Sequence, residues 1–177
     1  VAGRIIGDLR QAGYDAGTGA AQRGDLVVFL LSPAGQADDA LQTALIGARA
    51  LHDGACMAVC AGTATTVDIL DAEGNFQGGL ILPGIELMCR ALATNTAQLP
   101  LAAGKFARLP RNTMDAIVSG CLQAQAGAVE RMFEQVAAYS GAICLVSGGA
   151  AGQLFDLLRV PKRHVDNLVL EGLARMG

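Results

Sequence analysis

MAVCAGTATTVDILDAEGNFQGGLILPGIELMCRALATNTAQLP, residues Met57–Pro100, decides the fold. An apolar run of strand length, Ala55–Cys60, breaks into the small-residue stretch Ala61-Gly62-Thr63-Ala64-Thr65-Thr66. An alternating segment follows, Val67-Asp68-Ile69-Leu70, and then the turn-forming Asp71-Ala72-Glu73-Gly74-Asn75. A second apolar run, Phe76–Leu82, holds two glycines and ends at Pro83-Gly84, which opens a helix. Period-two segments between such breaks read as strand, tight turn, strand, hairpin turn, strand, helix.

The Gly62–Thr66 turn is the chemical part of this stretch. A small-residue turn between strands exposes backbone N–H groups, and threonine hydroxyls add donors that reach phosphate oxygens. No lysine follows the glycine at the spacing of a Walker loop. An ordinary hairpin, in which β-branched threonines suit strand geometry, accounts for the same residues.

Separate motifs in matching order give this chain a family likeness. They are Gly62-Thr63-Ala64-Thr65-Thr66, Gly78-Gly79, Pro83-Gly84-Ile85 and Thr96-Ala97-Gln98-Leu99-Pro100, then Asn112-Thr113-Met114-Asp115-Ala116 with Ser119-Gly120, and Ser147-Gly148-Gly149-Ala150. From about Ala44 to its end the chain resembles the type III pantothenate kinases, bacterial enzymes of coenzyme A synthesis. The resemblance implies an α/β fold of the actin-like ATPase class (sugar kinase, Hsp70, actin), with two lobes of mixed sheet flanked by helices. It implies ATP-dependent phosphorylation of pantothenate to 4′-phosphopantothenate, with magnesium and a monovalent cation, potassium or ammonium, as cofactors. By the same likeness Thr63, Thr65 and Thr66 bind phosphate, Gly148 and Gly149 pack on adenosine, and Thr113 contacts pantothenate. The glycine pair Gly78-Gly79 and the following helix, with Arg90, form a homodimer interface.

Two departures from the family pattern stand out. The family helix opens with Gly-Ala/Val-Asp-Arg, whose Asp is the general base and whose Arg holds the pantothenate carboxylate. Ungapped counting from Ala44-Leu45-Ile46-Gly47-Ala48-Arg49-Ala50 puts Ala40 and Leu41 at those places. Asp39 is the nearest carboxylate and so the candidate base, although Asp38 and Asp39 serve equally well as helix caps. Where many relatives carry an aspartate for the monovalent cation, this chain has Cys60, and a thiol is a poor ligand for potassium or ammonium. These departures leave open a second class of function, a catalytically degenerate relative acting as accessory factor for a transcription regulator.

Bulk properties bound the remaining choices. The chain has 177 residues, 52% hydrophobic and only 16% charged, enough for one sizeable core or two small lobes. Its net charge of −3, lack of a basic stripe and absence of Trp argue against a nucleic-acid partner. No apolar run approaches the ~20 residues of a membrane helix, and no signal peptide is visible, so a cytoplasmic protein is expected. The five cysteines, Cys56, Cys60, Cys89, Cys121 and Cys144, read as reduced core thiols. Cys56 and Cys60 have no second ligand cluster after them, so no zinc site is expected.

Elsewhere, Val1–Ala12 reads as a helix and Leu26–Leu31 as a strand. Asp15-Ala16-Gly17-Thr18-Gly19 is similar to the phosphate turn of sugar kinases, but Arg10-Gln11-Ala12-Gly13 before it is no apolar strand. A helix runs from Asp38 or Asp39 to about His52, with Leu41, Leu45, Ile46, Arg49 and Ala50 in its stripe. The helix Gly84–Thr96 presents Ile85, Leu87, Met88, Leu92 and Ala93 as its apolar face. Pro100–Pro110 is a loop with surface charges Lys105, Arg108 and Arg111. Asn112 and Asp115 start a capping-box-like helix that extends to about Ser140. Its Gly120, Ala124, Gly127 and Ala128 form a small-residue face for a close helix, and Gln123 and Gln125 are expected at a surface or interface. Ala142–Val146 is a strand whose glycine turn enters a helix to Leu158. Asp166–Met176 is the last helix, packing through Leu168, Leu170 and Leu173; His52 and His164 read as surface or satisfied histidines.

The chain starts at Val1 inside an apparent element, so a fragment or truncated product is expected, lacking the family's first phosphate motif. Residues 1–54 then form the remainder of an N-terminal lobe and residues 55–177 the C-terminal lobe.

Overall fold

The structure is a computed structural model that describes residues 39–95 and 104–176. The readings at Val1–Ala12, Asp15–Gly19, Leu26–Leu31 and Thr96–Pro100 lie outside the described residues. Helix α1 (Asp39–Leu51) leads into strands β1 (Cys56–Ala61), β2 (Ala64–Leu70) and β3 (Phe76–Pro83). Helices α2 (Ile85–Asn95) and α3 (Thr113–Phe133) follow, then β4 (Ile143–Ser147), α4 (Ala151–Phe155), β5 (Lys162–His164) and α5 (Leu168–Met176).

The five strands form one sheet in the order β3-β2-β1-β4-β5. The β1–β2 and β2–β3 hairpins are antiparallel, while β1–β4 and β4–β5 are parallel. Alternation along β1 and β2 explains why both faces are covered. Met57, Val59, Ala61, Val67 and Ile69 point to one face and pack with Val129, Phe133, Val146 and Leu154 from α3, β4 and α4. Cys56, Ala58 and Leu70 point to the other, against Ala44, Leu45, Ala48 and Leu168 of α1 and α5. Fully buried side chains such as Leu45, Met57 and Leu145 each contribute about 1.5–3 kcal/mol of transfer free energy.

Helices α1 and α5 touch backbone to backbone. A Cβ at Gly172 would lie 1.8 Å from the Thr43 carbonyl oxygen, and one at Gly47 would lie 2.2 Å from that of Leu168. The close helix contact thus forms here, and the face expected to make one stays open. Gly120 and Gly127 of α3 are exposed, and a Cβ on either would meet nothing within 4 Å.

Several element ends differ from the sequence reading. α3 stops at Phe133 rather than near Ser140, because its chain tightens into i→i+3 bonds such as Gln135 N–H to the Met132 carbonyl and Val136 N–H to that of Phe133. α4 stops at Phe155 for the same reason, with Leu157 N–H bonded to the Leu154 carbonyl. α5 starts at Leu168, where Asn167 caps it by accepting the Leu170 N–H at 3.0 Å. Arg49 is not part of α1's apolar stripe. Its guanidinium donates to the carbonyls of His52, Asp53 and Gly54, which the helix end leaves without partners. Leu170 and Leu173, expected to pack, are 60% and 51% exposed, because the buried stripe of α5 runs through Leu168 and Gly172 instead.

Candidate functional site

Parallel neighbours end together. Cys60 pairs with Ser147, so β1 and β4 deliver the turns Gly62-Thr63 and Gly148-Gly149 side by side at one edge of the sheet. In open α/β sheets the crevice beyond the carboxyl ends of parallel strands is where ligands sit. The two turns are locked together. Ala150 donates its N–H to the Ala61 carbonyl at 3.0 Å, and a Cβ at Gly148 would stand 2.4 Å from that same oxygen. Gly148 also has φ +103, a conformation that only glycine adopts without strain.

A third segment closes against them. Gly84, between β3 and α2, donates its N–H to the Thr63 carbonyl at 2.8 Å. A Cβ there would lie 2.1 Å from the Gly62 oxygen and 2.5 Å from that of Thr63. The Pro83-Gly84 motif is therefore explained by space: the helix α2 can start against the first turn only if residue 84 has no side chain. A groove of about 740 Å³ results. Gly62 and Thr63 line one side of it, and Gly149, Ala150 and Gln153 another. The α2 residues Ile85, Glu86, Leu87, Cys89 and Arg90 form a wall, completed by Gly104 and Val118. That volume lies in the range of small-molecule sites, ~300–1,000 Å³. Glu86 and Arg90 form an exposed ion pair on the rim. Behind the wall, burial first and then the neighbouring Cys89 thiol push Cys121 up to about 11.

The segment from Gly104 is tied down by α3. Asp115 accepts the Lys105 N–H at 2.7 Å, and the buried Ser119 hydroxyl accepts the Ala107 N–H at 2.9 Å. Asn112 and Asp115 exchange bonds in the manner of a cap: Asp115 N–H to Asn112 Oδ1 at 2.9 Å, Asn112 Nδ2 to Asp115 Oδ2 at 2.7 Å. The Lys105 N–H first, and the Asn112 amide second, hold the Asp115 carboxyl below its ordinary value. The Asn112–Gly120 motif thus does more than start a helix, because two of its side chains clamp the segment that edges the groove.

The proposed site residues fall in different places. Thr63 and Gly149 line the groove, and Gly148 forms the backbone contact behind it. Thr65 is fully buried on the α3 face of β2, alternating with Val67 and Ile69, and its hydroxyl has no hydrogen-bond partner. Thr66, the next residue, points to the opposite, α1 face. Thr113 is exposed at the first position of α3, five residues before the groove-lining Val118. Asp39 is the first residue of α1, and its side chain lies outside the described residues.

Sequence reasoning missed one residue. Gln125, expected at a surface or interface, is fully buried in the chain's own core. Its Nε2 donates to the Pro83 carbonyl at 2.5 Å across 42 residues of sequence and contacts Met88 Sδ at 3.6 Å. The signal was present, since Cys121, Leu122, Gln125, Ala126, Val129 and Phe133 follow helical spacing and mark one buried stripe.

A mixed sheet flanked by helices, with two glycine turns converging at the carboxyl ends of parallel strands, defines an α/β domain of the actin-like ATPase class. A solved structure of a Baf family transcriptional activator from Campylobacter jejuni shares the fold, with TM-score 0.58 at 22% identity over 84% of this chain and 67% of that one. Residues 37–135 match the family model for type III pantothenate kinase. A type III pantothenate kinase from Aromatoleum aromaticum is 68% identical over 131 residues, 74% of this chain and 54% of that protein. One from Cupriavidus pinatubonensis is 41% identical in an alignment that covers 100% of this chain and 72% of that protein. The chain belongs to the type III pantothenate kinase family. It spans about half the length of the curated relatives it matches first.

Proposed function

We propose that this chain serves an ATP-dependent kinase that phosphorylates pantothenate in coenzyme A synthesis. The observation that carries the reading is the junction of Gly62-Thr63 and Gly148-Gly149 at the ends of β1 and β4, in a chain of this family. ATP occupies the groove. Its adenosine lies flat on the Gly148-Gly149 turn, where Gly149 faces the groove without a side chain and Gly148 anchors the turn from behind. The Thr63 hydroxyl donates to its phosphates. The amino end of α2, whose first turn lines the groove beside Thr63, adds favourable partial charge for anions. Phosphoryl transfer needs mainly positioning and charge stabilisation, which rigid turns supply. Thr113 takes part in holding pantothenate, and Asp39 is the nearest candidate for accepting the hydroxyl proton. Thr65 and Thr66, lying on opposite faces of β2, support the turn from behind.

Magnesium binds through oxygen ligands, commonly one or two carboxylates beside the nucleotide phosphates. The described groove does not fit a resident magnesium: its lining carboxylate, Glu86, is engaged with Arg90. Cys60, half-buried against the α1 side of the sheet, does not fit a potassium or ammonium ligand either. In this reading residues 1–54 belong to the first lobe, whose last helix, α1, packs on the second-lobe sheet beside α5. A second copy of the chain covers the apolar side chains exposed on β3 and α2: Leu80, Ile81, Leu87 and Leu92. Among the described residues no helix is long and apolar enough to cross a membrane, and a cytoplasmic location is proposed.

Ala40, Leu41 and Cys60 favour one other reading, a degenerate relative that keeps the fold without the reaction and assists a transcription regulator. The test is ATP-dependent formation of 4′-phosphopantothenate by the complete gene product and by this 177-residue chain, with magnesium and with potassium or ammonium. Product from the complete protein supports the kinase. Folded protein that forms none supports the accessory factor.

A further inference from the structure

Gln125 reaches from α3 to the joint between β3 and α2. Its carboxamide is fully buried and asymmetric in use. Both contacts run through Nε2, to the Pro83 carbonyl and to Met88 Sδ, while Oε1 is buried with no hydrogen-bond partner. A carbonyl oxygen only accepts, so the amide nitrogen must face Pro83. An unpaired buried acceptor is unfavourable, and an apolar side chain of equal size would avoid it. Stability alone therefore does not account for a glutamine here; the donor does.

What that donor fixes follows from the chain. Pro83 immediately precedes Gly84, which bonds the Thr63 carbonyl and has no room to move toward Gly62 and Thr63. Met88, the second contact, donates its N–H to the Gly84 carbonyl at 2.9 Å, the first intrahelical bond of α2. Gln125 thus grips both ends of the β3–α2 joint from α3, and the joint abuts the Gly62-Thr63 turn. We propose that Gln125 is a positioning residue for nucleotide binding, acting through Pro83 and Gly84 on the turn that meets the phosphates.

The inference rests on the kinase reading for the identity of the nucleotide, and direct ATP binding separates the two. In the complete protein, Gln125→Met removes the donor at nearly constant volume, and Gln125→Asn withdraws it by one methylene. Both should weaken ATP binding by up to about fivefold, the upper bound that one lost positioning hydrogen bond sets, and raise the KM for ATP alike. The KM for pantothenate should hardly change, and the unfolding midpoint should fall by no more than about 2–4 °C, the cost of that one bond. Combined with Thr63→Val, the loss should be less than the product of the single effects, because both act on one turn. Unchanged ATP affinity in folded variants would overturn the inference. So would equal weakening of ATP and pantothenate, a lowered midpoint with normal ATP affinity, or a wild type that binds no ATP. A wild type that binds ATP without phosphorylating pantothenate would sink the kinase reading alone, and the variants' ATP affinities would still decide the role of Gln125.

Discussion

Gly84→Ala probes the joint on which the site is built. The added methyl would start 2.1 Å from the Gly62 carbonyl oxygen and 2.5 Å from that of Thr63, both backbone atoms. Nonbonded heavy atoms come to rest at about 3.5 Å, so α2 and the turn must separate by more than about 1 Å. That separation breaks the Gly84 N–H bond to Thr63, 2.8 Å long in the native arrangement. Overpacking costs about 1–3 kcal/mol and the lost bond about 1 kcal/mol, together roughly 2–4 kcal/mol. The unfolding midpoint should fall by several degrees, at roughly 2–4 °C per kcal/mol for a chain of this size. ATP affinity should drop at least about tenfold, equivalent to 1.4 kcal/mol, because the donors around the phosphates move with the turn. Differential scanning calorimetry and isothermal titration with ATP measure both. Gly149→Ala is the control: a Cβ there meets nothing within 4 Å, so its midpoint should hold while the methyl narrows the groove and weakens ATP alone. A Gly84→Ala protein with native midpoint and native ATP affinity would refute the packing argument.

Further outcomes follow from other contacts. Gly120→Ala, in open space on α3, should stabilise the protein by up to about 1 kcal/mol through helix propensity, read from denaturant midpoints. Cys56 and Cys144 are pushed up to about 11 and about 12 by burial, so both should resist alkylation at pH 8 until the protein unfolds. Because their folded values are raised, their contribution is complete below the ordinary thiol value of 9.0 and is lost as pH rises through the raised range. Asp115 has a lowered value through the Lys105 N–H and Asn112. Its clamp should therefore hold at neutral pH and release only as acid takes it below the ordinary value, seen as a shift of the Lys105 amide resonance that Asp115→Asn abolishes. Ile81→Lys, on an exposed apolar position of β3, should convert the proposed dimer to a monomer in light scattering.

The strand pattern was legible because burial on both faces makes β1 and β2 apolar, and because Asp71 marks the hairpin. That carboxylate accepts N–H groups of Glu73 and Asn75 and the amides of Asn75 and Gln77, an arrangement that Asp-rich turns favour. β5, Lys162–His164, left no trace, since a three-residue edge strand of charged side chains has no apolar alternation. Gln125 was misread because residue type was weighed above helical position. The glycine motifs were readable as turns, but their reason is a tertiary one: Gly84 and Gly148 face carbonyls from turns far away in sequence. The pairing of Cys60 with Ser147, which makes two turns into one site, joins residues 87 positions apart and leaves no local signature.

The most direct measurement is a titration of the isotopically labelled complete protein with ATP, followed at its backbone amides. The account predicts the largest shifts at Gly62, Thr63, Gly148 and Gly149, with the first turn of α2 next. Saturable ATP binding that leaves these amides unmoved, and shifts those around Arg108 and Arg159 on the far side of α3 instead, would contradict it.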